Sequence, residues 1–195
     1  LVLACVLTAC GTSADDPDAS DVARAAMLEE VPPSTVRELD IDRFSGRWYV
    51  TITNYDFWKP PRANTSIHYE IIDQQAWKLR DIVSYTPGEG QQREQIIGVD
   101  LQDPTLAGHF QWRGDQLLHM IVSHWFVVAL DPEYRWAVTY FGDSNVGTGA
   151  GIDVYVREPC DSRSHEAEAL RAVFTDPFLS RRAGGLFRIP HDGCP

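Results

Sequence analysis

Arg47-Trp48-Tyr49-Val50-Thr51-Ile52-Thr53-Asn54-Tyr55 is the stretch on which the fold turns. It is dense in β-branched and aromatic residues, with no Pro or Gly inside it, and reads as a strand. Side chains alternate between the two faces of a strand, so Trp48, Val50 and Ile52 share one face, expected to point inward. Downstream the same chemistry repeats, punctuated by turn residues. Segments of β type run over 65–72, 77–85, 92–101, 106–113, 116–130, 134–141 and 152–157. Asp73-Gln74-Gln75, Pro87-Gly88-Glu89-Gly90, Asp103-Pro104, Gly114-Asp115 and Asp131-Pro132-Glu133 separate them. The run 116–130 is long for one strand, and Ser123-His124 is expected to bend it. About eight antiparallel strands at regular spacing predict a barrel or sandwich.

One helix follows the strands. Ser162 or Ser164 can cap it, and Glu166 and Glu168 lie near its positive dipole end. Ala167, Leu170, Val173 and Phe174 recur at helical spacing as an apolar face, and Asp176-Pro177 ends it. Leu186-Phe187-Arg188-Ile189 reads as a short final strand or packed tail. Many strands and then one helix fit a mainly β fold: an eight-stranded antiparallel up-and-down β-barrel with a C-terminal helix. Eight strands enclose room for side chains or one small ligand.

Working back from the first strand, the chain changes character. Leu1 to Ala9 is almost wholly apolar and too short to span a bilayer. It fits the end of a secretory signal whose start is truncated. Leu7-Thr8-Ala9-Cys10 resembles the lipobox of bacterial lipoproteins, in which the Cys is acylated. Between Cys10 and Val36 there are six acids, one base and no apolar periodicity. Such a segment buries too little to offset its ordering entropy and reads as a flexible tether. The expected organisation is a signal remnant over 1–9, a lipid-anchored tether over 10–36 and the barrel over 37–195. A net charge of −11 excludes a basic surface for nucleic acid. With Cys5 in the signal and Cys10 at the anchor, Cys160 and Cys194 remain as an even pair in an oxidising compartment, open to a disulfide. An intracellular chain with four unrelated thiols is the alternative.

Three motifs in order carry a family resemblance. Phe44-Ser45-Gly46-Arg47-Trp48-Tyr49 resembles the Gly-x-Trp-Tyr motif that opens the first strand of lipocalins. Leu130-Asp131-Pro132-Glu133-Tyr134-Arg135 resembles their turn between the sixth and seventh strands. Val154-Tyr155-Val156-Arg157-Glu158-Pro159 resembles their last strand, ending in Arg. The resemblance covers about 41–176 and implies that Trp48 closes the barrel floor with Arg157 across its face, a structural pair. The alternative is a core aromatic and an unrelated surface charge. Bacterial outer-membrane lipocalins are the most similar in type. They imply a protein of the cell envelope, anchored in the outer membrane through Cys10, that binds a fatty acid or lysophospholipid. Trp125 to Leu130 and the Gly-rich loop before Ile152 also resemble the lipocalin domain of violaxanthin de-epoxidase. That resemblance implies an enzyme acting on a lipophilic substrate as the alternative function. A structural envelope lipoprotein with a filled barrel is the third.

Strand phase nominates the ligand-lining residues Val50, Ile52, Tyr69, Phe110, Trp125, Val127 and Tyr140. The alternative is that they fill a solid core. Tyr and Trp suit an amphiphile, since each adds a polar handle to an apolar wall. The histidines (His68, His109, His119, His124, His165, His191) show no metal-binding spacing, and no metal or cofactor is expected. Asp56 and Asp153 are the acids that could serve a cavity, but both are expected at the surface. No nucleophile elbow or phosphate loop is present. Loops 56–64, 87–91 and 114–115 should ring the open end. Phe57-Trp58-Lys59-Pro60-Pro61 is either a lid over it or a packed loop.

Overall fold

Eight strands, joined in chain order by turns and loops, close on themselves. The computed structural model of the chain describes residues 33–194. Cys10, the segment 1–9 and the tether up to residue 32 lie outside the described residues. The strands are β1 (Gly46–Thr53), β2 (Ala63–Asp73), β3 (Lys78–Thr86), β4 (Glu94–Gln102), β5 (His109–Gly114), β6 (Val122–Leu130), β7 (Trp136–Phe141) and β8 (Gly151–Val156). Every pairing is antiparallel, β1 meets both β8 and β2, and the sheet closes. A ninth strand, β9 (Phe187–Arg188), adds to β1 at Ile52 and Thr53. This is the eight-stranded antiparallel barrel expected.

The run 116–130 is not one bent strand. Residues Gln116–Leu118 form a 3-10 turn, β6 begins at Val122, and the register shift falls between Val127 and Ala129 rather than at Ser123-His124.

One end of the barrel is plugged. Helix α1 (Ile41–Phe44) is capped by Asp40, whose carboxylate accepts from Arg43 N–H at 3.2 Å. It drives Ile41 and Phe44 into the floor, where Phe44 and Trp48 are fully buried. The Trp48 indole N–H donates to Phe44 O at 2.7 Å. The Arg157 guanidinium lies 3.6 Å from the Trp48 ring centroid and donates to the carbonyls of Arg47, Arg43 and Phe44. Val36 N–H donates to Val127 O, so the chain is joined to the barrel before residue 37, inside the range expected to be free tether.

Helix α2 (Arg163–Thr175) packs on the outside, across β6, β7 and β8. Its inward face is Glu166, Ala169, Leu170 and Val173; Ala167 and Phe174, expected on that face, are exposed. The face carries a buried acid, which an apolar count passes over. Glu166 is paired with Arg188 of β9 and accepts from Ser162 Oγ at 3.0 Å. Ser162 is the N-cap residue, but its side chain bonds no helix N–H. Asp176 ends α2 and also caps a further turn, α3 (Pro177–Ser180), by accepting from Phe178 and Leu179 N–H. Proline at the first helical position suits that start. Cys160 and Cys194 are disulfide-bonded with Cα atoms 4.5 Å apart, tying the tail to the end of β8.

Candidate functional site

Above the aromatic floor the barrel is hollow. A cavity of about 320 Å³ opens between the loops that follow β1, β5 and β7. Its upper wall is apolar: Ile67, Val83, Ile96 and Phe141 from the strands, with Leu118 and Ile121 from the β5–β6 connection. Two indoles, Trp112 and Trp125, flank it. Trp125 stacks on Phe110 at 4.2 Å and on Tyr69 at 5.5 Å, joining the cavity to the floor. Trp112 needs a bare neighbour, because a Cβ at Gly98 would overlap its indole.

The deep wall is polar. Asp81 on β3 sits opposite Tyr69 on β2. Tyr69 and Tyr155 bring their hydroxyls to 3.5 Å. Asp153 lies two residues from Tyr155 on the same face of β8. Asp81 and Asp153 are only 6% and 4% exposed, and Oδ1 of each accepts no hydrogen bond from the described residues. Burial pushes each carboxyl up to about 7, held back at Asp81 by the Trp112 indole and at Asp153 by Thr53. Beneath them Asp100 accepts from the Trp125 indole N–H at 2.7 Å, and burial with the Asp81 charge raises its carboxyl further. Burial also raises the hydroxyls of Tyr69 and Tyr155 well above the usual phenol range. Among the described residues no Lys, Arg or His lines the cavity.

The mouth is aromatic. Phe57 and Trp58 pack edge-on against each other and against Tyr85, and Arg62 lies 4.1 Å over Phe57. Tyr55 meets Phe141 edge-on and donates to Thr148 O, linking the β1–β2 and β7–β8 loops. The segment from Phe57 is therefore a packed loop whose Phe57 edge reaches the cavity.

The nominated residues divide three ways. Tyr69 and Trp125 line the cavity. Val50, Phe110 and Val127 are buried in the interior core without facing the cavity. Ile52 and Tyr140 are corrections: they lie outside the barrel, in the layer under α2 and α3. For Ile52 the cause is a β-bulge, since Val50 pairs with Tyr155 but Ile52 with Val154, which flips the alternation. For Tyr140 the cause is two-sided burial. The helices cover the outer face of β7, so both phases are apolar, and Tyr140 packs edge-on to Phe178. Asp153 is a third correction, buried rather than at the surface, whereas Asp56 is exposed and bridged to Lys59 at 2.7 Å. Asp81, Asp100, Trp112 and Tyr155 escaped the sequence reading. For Asp81 the signal is an acid in the inward phase of a strand, Leu79-x-Asp81-x-Val83.

The histidines sit apart from the cavity. His109 bonds Asp103 at 3.1 Å and His124 at 2.9 Å across β5 and β6. Among the described residues no group of three or more His, Cys, Asp or Glu is placed to hold a metal.

The closed eight-stranded antiparallel barrel with its helix is the lipocalin fold. Insecticyanin from the tobacco hornworm Manduca sexta superposes with a TM-score of 0.63 over 84% of this chain and 86% of its own, at 14% identity. Lobster apocrustacyanin A1 gives 0.55 over 83% and 93%, at 10% identity. The siderocalin Ex-FABP gives 0.54 over 76% and 94%, at 13% identity. No known family model and no curated protein matches the sequence. At these identities the likeness is one of fold.

Proposed function

We propose that this chain reversibly binds one small lipophilic ligand inside the barrel and is held at the cell envelope, at an outer membrane, by lipid on Cys10. The observation that carries the first part is the cavity: about 320 Å³, walled by two indoles and aliphatic side chains, and open at one end. That volume lies at the lower end of the roughly 300–1,000 Å³ of small-molecule sites. Its existence weighs against a filled structural barrel. Among the structural neighbours, the siderocalin Ex-FABP functions through dual ligand specificities, so this fold supports ligand choice. Fatty acids and lysophospholipids are the first ligands to try. Each buried methylene contributes roughly 0.8 kcal/mol, so an acyl chain supplies ample drive. Asp81 and Asp153 would repel a carboxylate, so a fatty acid would enter tail first and leave its head at the mouth. The test is displacement of the neutral probe N-phenyl-1-naphthylamine from the domain spanning residues 33–195, read with tryptophan emission. Saturable uptake with one site supports the reading; no uptake of any lipophile overturns it.

A second reading has one observation in its favour. Two carboxyls raised to about 7 stand beside a tyrosine pair in an apolar cavity, a setting suited to general acid chemistry. The substrate would be a lipophile such as a polyene epoxide. Turnover of a bound epoxide, lost in Asp81→Asn or Asp153→Asn with binding retained, would establish it.

A further inference from the structure

We infer that the cavity prefers a lipophile carrying a protonated amine, with the ammonium seated on the polar arc formed by Asp81, Tyr69, Tyr155 and Asp153. The inference rests on the lipophile-binding reading above and deepens it. Most buried polar atoms in proteins have a hydrogen-bond partner, because stranding one is costly. Here three carboxyl groups, each more than nine-tenths buried, keep an oxygen that no donor among the described residues reaches, and two of them, Asp81 and Asp153, are cavity residues. Both line the same cavity, and its described wall supplies no cation to answer them. Asp100, immediately below, adds a third acid that accepts from the Trp125 indole.

The chemistry that completes such a wall is a donor with positive charge. An ammonium offers three N–H groups and no acceptor, which suits an arc of two carboxylates and two phenol oxygens. A carboxylate ligand would meet like charge at the same place, and an alcohol would satisfy hydrogen bonds without neutralising the acids. Four titratable groups face the two acids: Tyr69 and Asp100 face Asp81, Tyr55 faces Asp153, and Tyr155 faces both. With both carboxyls near 7, preference for the amine should strengthen as pH rises from 6 to 8.

The test uses the domain spanning 33–195 loaded with N-phenyl-1-naphthylamine. Decylamine, decanol and decanoate share a chain and differ in head group, so each is titrated as displacer at pH 8 in 0.5 M NaCl, which screens the net charge. Decylamine should displace the probe at a concentration at least tenfold below decanoate and below decanol. Asp81→Asn combined with Asp153→Asn should bind the probe and lose that preference, while Asp56→Asn, at the exposed rim, should keep it. Probe uptake with decanoate equal to decylamine overturns the inference alone. So does an amine preference that survives in the double variant. Failure of the wild-type domain to take up the probe overturns the lipophile reading and this one with it.

Discussion

Asp81 and Asp153 make the protein's stability depend on pH in an unusual direction. A carboxyl raised in the folded state binds more protons folded than unfolded between its ordinary pKa and about 7. Its contribution is therefore fully present in acid and is lost as pH rises through about 7. A tenfold change in an acid constant corresponds to roughly 1.4 kcal/mol. The ligand-free domain should thus lose a few kcal/mol relative to Asp81→Asn and Asp153→Asn between pH 4 and 8, measured by urea unfolding. Parallel profiles for wild type and variants would contradict the assignment. Gly98 and Arg157 act through packing. Gly98→Ala forces the Trp112 indole off the cavity wall and should destabilise the barrel and weaken probe binding together. Arg157 stacks on Trp48 and feeds hydrogen bonds to the carbonyls around α1. Arg157→Ala should cost about 2–3 kcal/mol in urea unfolding. Lysine, which lacks the planar fork, should restore only part of it.

At the scale of elements, legibility follows burial. Strands with one wet face announce themselves. In β3 the alternation of Leu79, Asp81 and Val83 with Lys78, Arg80 and Ile82 sets the phase, and even places an acid inside. Strands covered on both sides do not. Every residue of β8 is buried, and β7 is buried or half-buried throughout, so nothing in their polarity distinguishes Thr139 from Tyr140. The bulge after Val50 adds one residue that no local pattern marks, which moved Ile52 to the wrong face. Helix α2 was legible as a helix but its face was rotated, because Glu166 is buried through its pairing with Arg188 rather than excluded by its charge. The disulfide was accessible to counting. It closes a separation of 34 residues, and its reduction should lower stability by about 3 kcal/mol. The tail holds to β1 through Ile189 N–H to Thr51 O and His191 Nε2 to Val50 O. Amide exchange at Ile189 should accelerate on reduction, and unchanged exchange would show that β9 docks without the bond.

For the whole molecule, three short motifs and regular strand spacing were enough to specify the barrel. The cavity was not specified, because its volume depends on how inward side chains meet across strands distant in sequence. Phe110 and Val127 point inward yet end in the floor, while Asp81 and Tyr155, far apart in the chain, converge on one wall. The proposed anchor is a property of the full chain: Cys10→Ser should move the protein from the detergent phase to the aqueous phase, and unchanged partition would remove lipid on Cys10 from the account. In the proposed function the space between Trp112, Trp125 and Val83 holds a lipophile. Titration of N-phenyl-1-naphthylamine into the wild-type domain and into Val83→Trp, whose indole would fill that space, tests it most directly. Saturable one-to-one uptake with a change in tryptophan emission is expected in the wild type, and at least a tenfold loss in a folded Val83→Trp. Equal uptake by both proteins, or none by the wild type, would contradict it.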